Sequence, residues 1–348
     1  MISRRDALFL IGGSIAAFRS GTALAQAGTR NVSDAAGRTV SLPAKINKVF
    51  AAGTPAAITL YTLAPDLLAG WPDPIRKERQ AFLPPRYAAL PVTGRLTGRA
   101  NTANVESVLA AKPDLVLDIG TVAPIYASLA DRVQQQTGIP YLLLDGALTK
   151  TPALYRQLGR ILDAGPAAEP LAHYADDLLT EVQNRIAYVP HSSRARVYYA
   201  RGPAGLETGL AGSINAEMLE FVGARNVAAT GEKRNIATVS PEQILSWNPE
   251  AVVTIDRRFF QSVWHDPVWA EVDAVKSKRV FLAPDKPFGW FDTPPATNRL
   301  MGLKWLCNKL YGGLFTFDLA AATRDFYRRF YHIDLTPTQV ATLLEPAA

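Results

Sequence analysis

The chain has 348 residues, with 37 Lys and Arg against 31 Asp and Glu, for a net charge of +6. That length exceeds the ~250–300 residues at which a single core stops growing, so about two domains are expected. Apolar residues at 48% and charged residues at 20% exclude wholesale disorder, collagen and coiled coil, and the lone Cys307 excludes an internal disulfide, CxxC redox chemistry and a Cys-rich metal site.

Residues 1–25 read as an export leader. Arg4 and Arg5 precede an apolar run at 7–18, too short for a bilayer span of about 20 residues. Ala23-Leu24-Ala25 then supplies a small-x-small cleavage site. The paired arginines resemble a twin-arginine signal, but Ala7 stands where that signal favours Phe, so Tat and Sec routes both stay open. No cysteine lies near the cleavage site, so no lipid anchor is expected there. The mature chain is expected to be soluble outside the cytoplasm.

Short apolar runs follow at 48–51, 67–70, 114–117 and 141–144, with a helical pattern at 123–136. The runs do not alternate in polarity, which suits strands covered on both faces and hence a parallel sheet flanked by helices. Residues 166–188 carry Leu171, Tyr174, Leu178, Leu179, Val182 and Ile186 on one helical stripe, with Pro166 and Pro170 suited to its start. The strand style resumes at 196–199, 251–255 and 279–282. The expected division is a leader at 1–25, an N-terminal α/β lobe at 26–165, a linking helix at 166–189 and a C-terminal α/β lobe at 190–348.

An internal repeat supports two lobes. Asn104-Val105-Glu106 through Pro113-Asp114-Leu115-Val116 recurs 136 residues later as Ser240-Pro241-Glu242 through Pro249-Glu250-Ala251-Val252. In each copy a capping residue opens a short helix, an acid sits in its first turn, proline stops it and a buried strand begins.

Catalytic signatures are absent. The four histidines form no His-x-x-x-His pair, and there is no G-x-S-x-G, P-loop or G-x-G-x-x-G motif. Asp292 alone does not make a metal site. The basic residues are dispersed, which argues against nucleic acid despite a sequence pI near 9.4.

In order and spacing, the segment 34–43 (DAAGRTVSLP), the two repeat copies, the long central helix and Gly223-Ala224-Arg225-Asn226-Val227 resemble the periplasmic substrate-binding proteins of ABC importers for iron–siderophore complexes, haem and cobalamin. The resemblance runs almost end to end over the mature chain. It implies two Rossmann-like lobes joined by a single long α-helix, a ligand cleft between them, no catalysis and no cofactor. The implied partners are an inner-membrane ABC permease dimer and an iron chelate as cargo, on a monomeric receptor. An oxyanion such as molybdate, a corrinoid or haem remains an alternative cargo, and an exported enzyme on the same frame is the rival class. The resemblance also implies that Glu106 and Glu242 dock onto the two permease subunits; both also suit plain helix N-termini.

Ligands of open α/β sheets lie beyond the carboxyl ends of the strands. Those ends nominate Thr54, Arg95, Thr121, Tyr199, Arg201, Arg257, Trp290 and Asp292. Arginines interleaved with aromatics suit a bulky, anionic, partly flat ligand. Arg201 beside Gly202 is the foremost candidate, with Trp290 expected as a flat wall of the cleft. The arginines also suit a solvated rim, and Trp290 and Phe291 also suit a core under the last helices.

Overall fold

A computed structural model describes residues 28–98, 102–229 and 236–345. The expected leader at 1–25 lies outside them. Among the described residues no helix is long and apolar enough to cross a membrane.

The chain opens with an antiparallel hairpin of β1 (Thr29–Ser33) and β2 (Thr39–Pro43). Strand β3 (Val49–Ala51) leads into α1 (Thr54–Leu63), and two single-turn helices follow, α2 (Lys77–Gln80) and α3 (Pro85–Ala88). Next come α4 (Val105–Ala111), β4 (Leu115–Gly120), α5 (Pro124–Thr137) and β5 (Tyr141–Asp145). Strands β3, β4 and β5 lie side by side and parallel. Nearly every residue of β4 and β5 is buried, as strands covered on both faces require.

Residues 67–70 do not form the strand expected of them. Pro65–Leu67 is a 3-10 turn, and Leu68 makes one isolated bridge to Val49. The segment then changes partner: Ala69 donates to the Val49 carbonyl, whereas Trp71 donates to the Pro91 carbonyl and bridges Val92, so neither pairing extends into a strand.

Helix α6 (Thr151–Ile161) packs on α7 (Gly165–Ile186), a 22-residue helix about 33 Å long at 1.5 Å per residue. The expected stripe faces the core: Leu171, Leu178, Leu179, Val182 and Ile186 are buried. Pro170 stands inside this helix rather than at its start, and the helix ends at Ile186, two residues early.

Beyond α7 the second lobe contains β6 (Arg196–Ala200), β7 (Glu207–Gly209), α8 (Glu217–Phe221), β8 (Arg225–Asn226) and β9 (Ile236–Thr238). It continues through α9 (Pro241–Trp247), β10 (Ala251–Thr254), α10 (Arg257–Ser262), α11 (Asp273–Lys276) and β11 (Val280–Leu282). Its sheet runs β11-β10-β6-β8, all parallel, with β7 and β9 forming a separate antiparallel pair. The fold is therefore two α/β lobes linked by a helix.

The repeat is physically real. Asn104 and Ser240 each cap their helix through a reciprocal capping box, with Ser107 and Gln243 reaching back. Helices α4 and α9 end in left-handed residues, Lys112 and Asn248, one position before the prolines that the sequence marks as stops.

The last helices, α12 (Arg299–Leu310), α13 (Leu319–Tyr331) and α14 (Pro337–Leu344), turn back towards the first lobe. The Tyr61 hydroxyl on α1 donates to the Tyr331 carbonyl at 2.6 Å, and Gln339 donates to the Ala81 carbonyl at 2.7 Å. One hydrophobic cluster consequently runs from Val49 and Leu117 through α7 to Val197, Val253 and Phe330. Burial of that size couples the lobes through apolar contact as well as through the link.

Candidate ligand cleft

A cleft of about 780 Å³ lies between the lobes. The carboxyl end of β3 contributes Thr54 and Pro55, and the end of β4 contributes Asp118, Ile119, Gly120 and Thr121. The second lobe answers with Arg201 at the end of β6, Asn215, and the segment around Phe288 and Asp292. Arg79, Arg95 and Arg201 line it together with Asp73, Asp118 and Asp292. Much of this positive charge is already engaged: Arg79 pairs with Asp285 at 3.0 Å and Arg95 with Asp73 at 3.2 Å. The Thr54 hydroxyl donates to the same Asp73 carboxylate at 3.2 Å.

Arg201 is built differently. It is 9% exposed, and its backbone is fixed by a bridge to Glu207. Gly202, at φ 71°, takes the left-handed conformation that turns the chain back within this short span. The guanidinium Nη1 donates to the Tyr199 hydroxyl at 2.8 Å and to Asp292. Asp292 also accepts from the Tyr199 hydroxyl, and from Asn215 Nδ2 at 2.7 Å. The Arg201 Nε is buried and has no partner among the described residues. A buried donor on a cation is costly to leave unmade, and Arg201 is among the residues that line the cleft.

The electrostatics fit that role. Burial pulls Arg201 down, but Tyr199 and Asp292 outweigh it and hold the guanidinium above its ordinary value. Burial pushes the Asp292 carboxyl above its ordinary value, although Arg201, Tyr199 and Asn215 oppose the rise. Burial also raises Asp118, against hydrogen bonds from Tyr141 at 3.1 Å and Thr97 at 3.2 Å. No cluster of His, Cys, Asp or Glu suited to a metal ion occurs among the described residues.

Of the residues nominated by sequence, Thr54, Arg95, Thr121, Arg201 and Asp292 line the cleft. Tyr199 is fully buried and reaches the site only through its hydroxyl, which links Arg201 to Asp292. Arg257 does not line the cleft. It opens α10 and borders a small outer depression beside Asp285 and Leu343, one strand farther along the sheet than Arg201. Trp290 is not a cleft wall either. It is 0% exposed, its indole N–H points to the Tyr327 hydroxyl at 3.3 Å, and α12 rests on its backbone. A Cβ on Gly302 would come within 1.8 Å of the Trp290 carbonyl oxygen, so only glycine permits that approach. Phe288 lines the cleft instead, although it is itself 3% exposed and packed against Trp71 at 5.5 Å.

Sequence reasoning passed over Asp73, Arg79, Asn215 and Asp118 as cleft residues. Asp73 and Asn215 lie in irregular connections, and Arg79 on the single-turn α2, which is too short for periodicity to mark. Asp118 carried a signal: a carboxylate inside an otherwise apolar buried strand is rarely unemployed.

A match to the periplasmic binding protein family spans residues 71–287, more than half the chain, and the protein belongs to that family. It is similar to the molybdate-binding protein MolA of Haemophilus influenzae, 28% identical over 273 residues, which is 71% of this chain and 75% of that protein. The structure of an ABC transporter solute binding protein from Sulfurospirillum deleyianum superposes with a TM-score of 0.83 at 28% identity, covering 90% of this chain and 98% of that one. The structure of MolA bound to molybdate superposes with a TM-score of 0.72 at 25% identity, covering 88% and 99%.

Proposed function

We propose that this protein is the exported receptor of an ABC importer, binding an oxyanion of the molybdate type between its lobes and releasing it unchanged to the permease. The observation that carries the reading is Arg201, a largely buried cation that lines the cleft and whose Nε has no partner among the described residues. A guanidinium presents planar paired donors to oxyanion oxygens and stays charged at any physiological pH. Similarity to a molybdate-binding protein supports the same class. Residues 1–25 serve as the leader, and the exposed Glu106 and Glu242 as docking points for two permease subunits. The reading assigns no bond-making or bond-breaking step to the protein.

The cleft volume favours a second reading. About 780 Å³ is far more than one tetrahedral anion fills and falls within the ~300–1,000 Å³ typical of organic ligand sites. A ferric chelate with anionic oxygens would use the same Arg201. Calorimetric titration with molybdate, tungstate and a ferric tris-catecholate separates the two. Tight, saturable binding of the bare oxyanions supports the first reading; heat from the catecholate alone replaces it with the second.

A further inference from the structure

Val92, Leu109, Ile125, Tyr188 and Leu245 are the large apolar side chains exposed among the described residues. A single exposed leucine needs no explanation. Leu109 and Leu245, however, are 45% and 40% exposed and stand at the same place in the two repeat copies. Each lies three residues after an exposed acid, Glu106 on α4 and Glu242 on α9. Side chains three apart on a helix are surface neighbours, so each lobe presents an acid with a leucine beside it. The rotation of both helices is fixed. Val108 and Ile244, one residue before the leucines, are 0% exposed, and the capping boxes lock the first turns. Neither leucine can roll inward without bringing a core residue out.

We infer that Leu109 and Leu245 complete two matched acid–leucine contacts, made to a two-fold symmetric membrane partner whose subunits each offer a cation beside an apolar socket. The inference rests on the docking reading of Glu106 and Glu242. Two equivalent surface features related by an internal repeat fit a partner carrying two equivalent sites. The division of labour follows from the chemistry. Exposed charges steer the encounter and fix register, whereas desolvated apolar contacts slow dissociation. Glu242 is held below its ordinary carboxylate value by the Ser240 side chain, so it stays charged over the working range.

The test uses the mature protein and its permease–ATPase complex in nanodiscs, with affinity read from surface-immobilised discs at low and high salt. The variants are Leu109→Ser, Leu245→Ser, their combination, Glu106→Lys and Glu242→Lys, each checked for unchanged thermal midpoint. Each leucine variant should weaken docking about five- to ten-fold through faster dissociation, with little change in salt dependence. The double leucine variant should lose about 30-fold or more. The glutamate variants should slow association and flatten the salt dependence. Wild-type affinity in the double leucine variant, alongside loss in the glutamate variants, overturns this inference and leaves the docking reading standing. Docking insensitive to both Glu106→Lys and Glu242→Lys overturns the docking reading itself.

Discussion

Arg299 and Glu217 form an ion pair of 2.8 Å that clamps one lobe to the other. Both belong to the second half of the chain, but both also hold the first. Arg299 Nη2 donates to the Gly146 carbonyl at 2.6 Å, and Glu217 accepts the Leu148 N–H at 2.9 Å. Arg299 is 1% exposed, and burial pulls it below its ordinary value while Glu217 opposes the fall. Removing one partner of a buried pair typically costs about 3–5 kcal/mol, because the other charge is left unmatched. Arg299→Met should therefore lower the thermal midpoint by roughly 5–10 °C in calorimetry. A shift below about 1 °C would mean that the apolar contacts alone fix the lobes.

The docking acids predict a separation of functions. Glu106 and Glu242 are exposed on helices that do not border the cleft. Reversing both to Lys should leave ligand affinity within about two-fold while abolishing uptake, since exposed charges far from a site are screened within a Debye length of about 8–10 Å. Uptake at the wild-type rate in cells carrying the double variant would reduce both acids to helix-end charges.

How legible the molecule is in its sequence depends on whether a feature is local. The long helix, the parallel strands and the repeated helix–strand unit are written in spacing and caps, so α7, β4, β10, α4 and α9 appear nearly where periodicity places them. Placement of Trp290 was not legible. A strand-end aromatic reads alike whether it faces a cleft or a core, and what decides it is Gly302, which lets α12 close over it from outside the local segment. The same holds for Arg201. Its strand-end position was readable, but its counter-ion Asp292 lies 91 residues away, and Asn215 arrives from a connection without pattern. The return of α13 onto α1 was likewise beyond reach, because packing partners far apart in sequence leave no periodic trace.

Asp118 gives a pH dependence with a definite sign. Burial raises its pKa above the ordinary 3.8, so the folded state holds the proton more tightly than the unfolded chain. As pH rises through that raised value, the folded protein must ionise a buried carboxyl and stability falls; as pH drops back, stability returns. Asp118→Asn keeps an acceptor for Tyr141 or Thr97 but cannot ionise. The variant should lose the part of the wild-type fall in thermal midpoint that sets in as pH rises above the ordinary carboxyl value of 3.8. Parallel midpoint curves for the two proteins would place Asp118 outside the titrating set.

Arg201 decides the cargo. A hydrogen bond to a charged group contributes roughly 1.5–3 kcal/mol, so Arg201→Ala should weaken molybdate binding about ten- to a hundred-fold. Arg201→Lys tests whether the fork matters beyond the charge. Lysine offers a compact ammonium on a flexible stem, and it cannot reach Tyr199, Asp292 and an anion together through planar paired donors. The Lys variant should therefore recover little of the loss. Trp290→Phe supplies the contrast. Its indole donates inside the core to Tyr327, so the change should lower stability without altering affinity for either molybdate or a ferric catecholate. Titration of the three variants with both ligands gives the answer. Loss of molybdate binding in the two Arg201 variants but not in Trp290→Phe supports the oxyanion receptor. Unchanged binding in Arg201→Ala would move the site elsewhere in the cleft, towards Arg79 and Arg95.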